Sequence, residues 1–184
     1  MIILLGKTAS GKDRVCNELI TKYGYKKLVT YTNRHMREGE EQNKTYHFIS
    51  TQKFEMLISN GFFAEYTSYN VASGETWYYG SALEDYENSD DKTIVILNPE
   101  GFKQIQKFNL ETVVSIYIYS NIKTIKQRLK MRGDNELEAQ RRLQADLEDF
   151  KDMESHVNKI IYNNYGTDLD SVVCKIIDYI EENN

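Results

Sequence analysis

The chain has 184 residues, enough for one domain with a sizeable buried core, and its 40% hydrophobic and 28% charged content is that of a soluble globular protein. A formal net charge of −5 excludes a general binder of nucleic-acid backbones, which carries a basic excess, so any anion site must be local. No run reaches the roughly 18 apolar residues of a membrane span, and the start lacks a basic segment followed by a long apolar stretch, so a cytoplasmic protein without membrane partners is expected.

In chain order, the apolar run Met1 to Leu5 predicts a strand, and Lys12 to Tyr23 a helix after a glycine-bounded loop. A second strand is expected over Lys27 to Tyr31, past the break at Tyr23-Gly24-Tyr25. Further on, helices are expected over Thr51 to Asn60, Glu100 to Phe108, Ile122 to Arg132, Glu136 to Val157 and Leu169 to Glu182. Strands fall at Thr93 to Leu97, Val113 to Tyr119 and Lys159 to Tyr162, where β-branched and apolar residues cluster. This alternation implies parallel crossovers: an α/β fold with a sheet flanked by helices on both faces. Asn33 to Gly80 breaks the rhythm with short aromatic and polar pieces and reads as an inserted substrate-binding subdomain.

Cys16 and Cys174 are far apart and outside any metal-binding spacing, so both are expected as buried free thiols. His35, His47 and His156 form no ligand pattern and are expected to be ordinary structural residues.

Gly6-Lys7-Thr8-Ala9-Ser10-Gly11-Lys12 has the spacing of a P-loop: glycine, four residues, glycine, lysine, placed between strand and helix. Glycines let the backbone approach a phosphate, successive N–H groups point inward, the helix N-terminus adds positive potential, and Lys12 adds a cation. Gly6, Thr8, Ala9, Ser10, Gly11, Lys12 and Asp13 are the candidate ATP-binding set. Asp13 stands where the pattern has a hydroxyl that meets Mg²⁺: its carboxylate, also a hard oxygen donor, is the candidate metal ligand, the alternative being a poor fit whose charge weakens the site.

Thr30-Tyr31-Thr32-Asn33-Arg34-His35-Met36-Arg37-Glu38-Gly39-Glu40, continuing to Tyr46-His47-Phe48, resembles the signature of the guanylate kinase family. The likeness continues through Phe54, Gly61, Phe63, Glu65, Tyr79-Gly80 and Leu97-Asn98-Pro99-Glu100-Gly101. It ends with Gln127-Arg128-Leu129-Lys130-Met131-Arg132-Gly133 and Arg141-Arg142-Leu143, so nearly the whole chain is covered in order.

The resemblance implies a P-loop NTPase core (about 1–32, 81–125 and 158–184), a monophosphate-binding subdomain (about 33–80) and a helical lid (about 126–157), all in a single guanylate-kinase-like domain over 1–184. It implies transfer of the ATP γ-phosphoryl group to GMP or dGMP with Mg²⁺, by a monomer or homodimer. Arg34, Arg37, Tyr46 and Tyr79 would hold the acceptor phosphate, Thr30 and Glu65 would read the base, and Asn98 would stand near the acceptor. Lys12, Arg37, Arg128, Arg132 and Arg142 would carry catalysis by neutralising charge. Arg128 and Arg132, four apart, share a helical face and are expected to point toward one ligand, with Gly133-Asp134-Asn135 as a hinge-like break before the next helix.

Two departures bear on the substrate. Asn98 and Ile96 replace carboxylates of the family pattern, and the segment from Thr67 to Trp77 is longer than usual. The alternatives are a related P-loop kinase with another phosphorylated acceptor, or an inactive guanylate-kinase-like interaction module.

Overall fold

The structure is a computed structural model that describes residues 1–71, 74–108, 113–134 and 136–183; Asn135 of the expected hinge, and Ala72 and Ser73 of the long segment, lie outside them. The chain opens with β1 (Ile2–Leu5), α1 (Lys12–Tyr23), β2 (Lys26–Lys27), β3 (Tyr31–Thr32) and β4 (His47–Phe48). Next come α2 (Thr51–Ser59), β5 (Phe63–Asn70), β6 (Thr76–Ala82), α3 (Leu83–Glu87), β7 (Thr93–Ile96) and α4 (Pro99–Ile105). The remainder is β8 (Val114–Tyr119), α5 (Ile122–Arg132), α6 (Glu136–Asp149), β9 (Lys159–Tyr162) and α7 (Leu169–Glu182).

Five strands form a parallel sheet in the order β2-β7-β1-β8-β9. Side chains of β1 alternate between its faces, as the two-residue repeat of a strand requires. Ile2 and Leu4 pack with Val15, Cys16 and Leu19 of α1 and Val172, Val173 and Ile176 of α7. Ile3 and Leu5 pack on the other side with Phe102 and Ile105 of α4, Tyr117, Phe150 and Met153. A strand buried on both faces has no room for polar alternation, which explains the unbroken apolar reading of Ile2–Leu5.

A second sheet, in the order β4-β3-β6-β5, occupies the middle of the chain. β3 runs antiparallel to β6, and β6 antiparallel to β5, with β4 parallel to β3 at the edge. Phe54 of α2 is fully buried against it, stacked on Phe63 and Tyr78 at centroid distances of 4.4 and 5.1 Å.

Three expectations change. The single strand over Lys27 to Tyr31 is two short strands in different sheets: Lys27 pairs with Ile94, while Tyr31 pairs with Gly80. Leu28 to Thr30 therefore carries the chain from one sheet to the other, with Leu28 N–H on Ile94 O and Thr30 O accepting from His47 N–H. The helix expected to reach Val157 stops at Asp149, and a short 3-10 turn (Met153–Ser155) follows Asp152, whose φ of 57° is left-handed. Burial of Phe150 and Met153 in the core turns the chain there. Cys16 is buried as expected, but Cys174 is exposed, on the outer side of α7 near the Tyr23 hydroxyl.

Candidate active site

Helix α1 begins at Lys12 with Gly11 as its N-cap, φ 95°, and the preceding loop is drawn tight by Ser10 N–H on Lys7 O at 3.1 Å. A Cβ at Gly6 would lie 2.4 Å from Ser10 Oγ and 2.9 Å from Ile118 O, so only glycine fits under the loop. Ala9 adopts φ 53°, an uncommon conformation for a residue with a side chain, and alternates with Gly11 in turning amides to one side.

The loop borders a cavity of about 520 Å³. Gly6, Thr8, Ala9, Lys12 and Asp13 line it from the loop side. Thr30, Arg34, Arg37, Tyr46, Glu65 and Tyr79 line it from the second sheet and its approaches, with Asn98 at the end of β7. Arg132 and Arg142 join them from α5 and α6. Three residues expected at the site stand apart from this lining: Ser10 and Gly11, within the loop itself, and Arg128, which lies behind it. Arg128 donates from Nη1 to the carbonyls of Ala9 and Ser10 at 3.1 and 2.8 Å, so its guanidinium is engaged by backbone, while Arg132 faces the cavity and pairs with Asp134.

Arg34 is 5% exposed, and its guanidinium lies 5.0 Å from the Tyr46 ring. Its charge is met by Glu40 through Nη1 on Oε2 at 2.6 Å and a second, parallel contact from Nη2. This fork holds the Glu40 carboxyl down at about 2, and the Arg37 N–H donates to the same carboxylate at 2.8 Å. Glu40 thus fastens the turn that carries both arginines. The sequence placed it inside a quoted motif without assigning it this work.

Glu65, Thr67 and Tyr69 alternate along β5 and face the cavity. Glu65 is 4% exposed and accepts from Ser81 Oγ at 2.5 Å, and burial pushes its carboxyl up to about 7. Gly101 closes over it, since a Cβ there would stand 2.6 Å from Glu65 Oε2. The side chain of Asn98 is engaged at both ends. Its Oδ1 caps α4 by accepting from Gly101 N–H at 2.7 Å, and its amide donates to Thr67 Oγ1 at 3.1 Å and to the Tyr69 hydroxyl.

Sequence reasoning also passed over Asp146 of α6, whose Oδ2 accepts from the Thr8 N–H at 2.6 Å. Burial raises this carboxyl from its ordinary value, with the loop amide acting in the opposite direction. Only tertiary placement reveals it, because Asp146 lies 138 residues from its partner.

A glycine loop between β1 and α1 of a parallel sheet, with cations around it, is the architecture of a P-loop NTPase. The family model described as guanylate kinase matches residues 1–183. The chain is 31% identical over 183 residues to the guanylate kinase of Pseudoalteromonas translucida, covering 96% of this chain and 84% of that one. It is 28% identical over 168 residues to the guanylate kinase of Fusobacterium nucleatum, covering 89% and 88%. In fold it resembles the crystal structure of guanylate kinase from Anaplasma phagocytophilum, with a TM-score of 0.74 at 24% identity over 100% of this chain and 85% of that one. The chain belongs to the guanylate kinase family.

Proposed function

We propose that this protein is a phosphotransferase that moves the ATP γ-phosphoryl group to GMP or dGMP, giving ADP and the nucleoside diphosphate. The observation that carries this reading is that one cavity joins the phosphate loop to a buried carboxylate and the two arginines Arg34 and Arg37. Guanine presents N1–H and an exocyclic amino group side by side, and one carboxylate, that of Glu65, can accept both, while the Thr30 hydroxyl can donate to O6. Arg34, Arg37, Tyr46 and Tyr79 offer donors to the acceptor phosphate. That phosphate is already ionised, so its oxygen attacks the γ-phosphorus and the β-oxygen of ADP departs without a dedicated base.

The loop amides and Lys12 hold the donor phosphates, and Arg132 and Arg142 face them from the lid. For magnesium the donor set fits. Asp13 and Asp146 bring hard oxygens to the loop's cavity, two carboxylates and not, among the described residues, a cluster of three. Such a set suits an ion held mainly by nucleotide phosphates with one or two carboxylates, where it supplies charge neutralisation. Free Cys16 and Cys174 agree with a reducing, cytoplasmic location, and among the described residues no helix is long and apolar enough to cross a membrane.

A coupled assay with ATP, Mg²⁺ and each common nucleoside monophosphate tests the reading: GMP or dGMP should be preferred, and equal turnover of AMP or UMP would sink it. A related acceptor remains the second reading because Asn98 directs its amide to Thr67 and Tyr69, leaving Glu65 as the carboxylate of the β5 stripe.

Two further results are expected. Since burial pushes Glu65 to about 7, it gains a proton as pH falls through neutrality and ceases to accept two hydrogen bonds. KM for GMP should therefore rise roughly eightfold between pH 7.5 and 6 through this group alone. Glu65→Gln, which keeps only the titration of the nucleotide phosphate, should lack that component; matching profiles for both proteins would contradict the assignment. The Thr8 N–H cannot serve both Asp146 and a phosphate oxygen, and the carboxylate also repels the anion. Removing it by Asp146→Ala is expected to tighten binding of ADP free of magnesium by about threefold, the scale of one net hydrogen bond. Calorimetric titration checks this, with unchanged or weaker affinity as the contrary outcome.

A further inference from the structure

Phosphate loops work only if their peptide planes are turned the right way. A trans peptide is planar, so the N–H of one residue points opposite to the C=O of the residue before it. Whatever holds the Ser10 carbonyl outward therefore aims the Gly11 N–H inward, toward the phosphate side of the loop. Three side chains converge on that carbonyl: Arg128 Nη1 at 2.8 Å, Asn163 Nδ2 at 2.9 Å and Ser120 Oγ at 3.2 Å.

Asn163 is the centre of this group. It follows β9, where its own N–H donates to Tyr119 O at 2.8 Å, and it is 5% exposed. Its Oδ1 accepts from Arg128 Nη2 at 3.2 Å, while its backbone carbonyl accepts from the same Nη2 at 3.0 Å and competes with the Ser10 carbonyl for the single Ser120 hydroxyl proton. The amide has a single workable orientation, because turning it over would set oxygen against the Ser10 carbonyl and N–H against the guanidinium. Contact is close enough that a Cβ at Gly11 would fall 2.4 Å from Asn163 Nδ2, which excludes any other residue at Gly11.

We infer that Asn163 is a positioning residue for phosphoryl transfer: with Arg128 and Ser120 it locks the Ser10–Gly11 peptide so that the loop amide meets the donor phosphate. Arg128 then acts on the nucleotide through the backbone that it holds, which accounts for its place behind the loop. Donors on the Ser10 carbonyl also polarise that peptide and make the Gly11 N–H a stronger donor. The inference rests on the phosphate loop holding ATP, as proposed above.

The test compares Asn163→Asp and Asn163→Ala with the parent protein, titrating each with ADP, inorganic triphosphate and GMP in a calorimeter. Aspartate keeps the shape and the Arg128 partner but sets a carboxylate oxygen against the Ser10 carbonyl; alanine removes both contacts. Positioning predicts at least a tenfold loss of ADP affinity for the aspartate variant, a smaller loss for alanine, and GMP affinity within twofold. A purely structural role predicts the reverse order, because the isosteric, ion-paired aspartate would be the milder change. Triphosphate carries no base, so an equal loss with it assigns the effect to the loop. Unaltered ADP and triphosphate affinity in a folded Asn163→Asp, or a milder effect than alanine, overturns the inference. If neither variant folds by circular dichroism, Ser120→Ala takes their place, with a two- to threefold loss expected and no loss decisive against. Failure of the parent protein itself to bind ADP would instead remove the functional reading.

Discussion

Lys12→Ala is expected to lower kcat by about 100-fold or more while moving the thermal midpoint little. Lys12 opens α1 at the mouth of the loop, with its Nζ 3.5 Å from the Lys7 carbonyl and its chain partly exposed, so no core contact is lost with it. Alanine suits the first turn of a helix at least as well. What disappears, on the proposed mechanism, is a mobile ammonium that follows the β- and γ-oxygens as charge shifts between them. Two charge-assisted hydrogen bonds, each worth roughly 1.5–3 kcal/mol, cover a factor of a hundred in rate. Steady-state kinetics with a melting curve on the same sample separates catalysis from folding, and turnover within tenfold of the parent would remove Lys12 from the mechanism.

Glu65→Gln should divide two properties that usually fall together. At pH 8, kcat/KM for GMP is expected to drop by about 100-fold or more, because a neutral amide replaces the carboxylate proposed to accept two donors from the base. KM for ATP should change little, since Glu65 lines the cavity from the second sheet and not from the phosphate loop. Stability should move the other way. Burial raises the Glu65 carboxyl from 4.5 to about 7 in the folded protein, so its contribution is favourable at acid pH and is lost as pH rises through that window. Above neutrality the ionised, buried side chain opposes folding, and glutamine relieves it by an amount on the order of 2 kcal/mol. A variant that binds GMP as before, or that melts lower at pH 8, would contradict this account.

The parts of the molecule legible in the sequence are those set by local pattern. Ile2–Leu5, Gly6, Gly11 and Lys12 announce a strand, a tight loop and a helix because their spacing alone dictates the backbone. The apolar runs at Thr93–Ile96 and Val114–Tyr119 show strands because both faces of the sheet are covered. Lys26 to Thr32 was not legible as two strands, since only the distant partners Thr93–Ile94 and Tyr79–Gly80 decide which sheet each end joins. The same limit governs the arginines of α5. A spacing of four fixes a shared face, but not depth along the helix axis, and one turn separates Arg132 at the cavity from Arg128 on the loop carbonyls. Asp146 and Asn163 act across more than a hundred residues of sequence, with separations of 138 and 153 from their loop partners, so no window in the sequence contains both ends of either contact.

The fork between Arg34 and Glu40 has a consequence for how substrate arrives. Its positive charge is balanced within the protein, and Asp13, Asp146 and Asp149 are interspersed with the other cations around the opening. With an acidic chain behind it, such a mouth projects little field into solvent, and a nucleotide anion finds it by random collision followed by short-range fit. Encounter rates measured by stopped flow should accordingly stay within about twofold between 20 and 200 mM salt, where an electrostatically steered enzyme would slow by an order of magnitude or more.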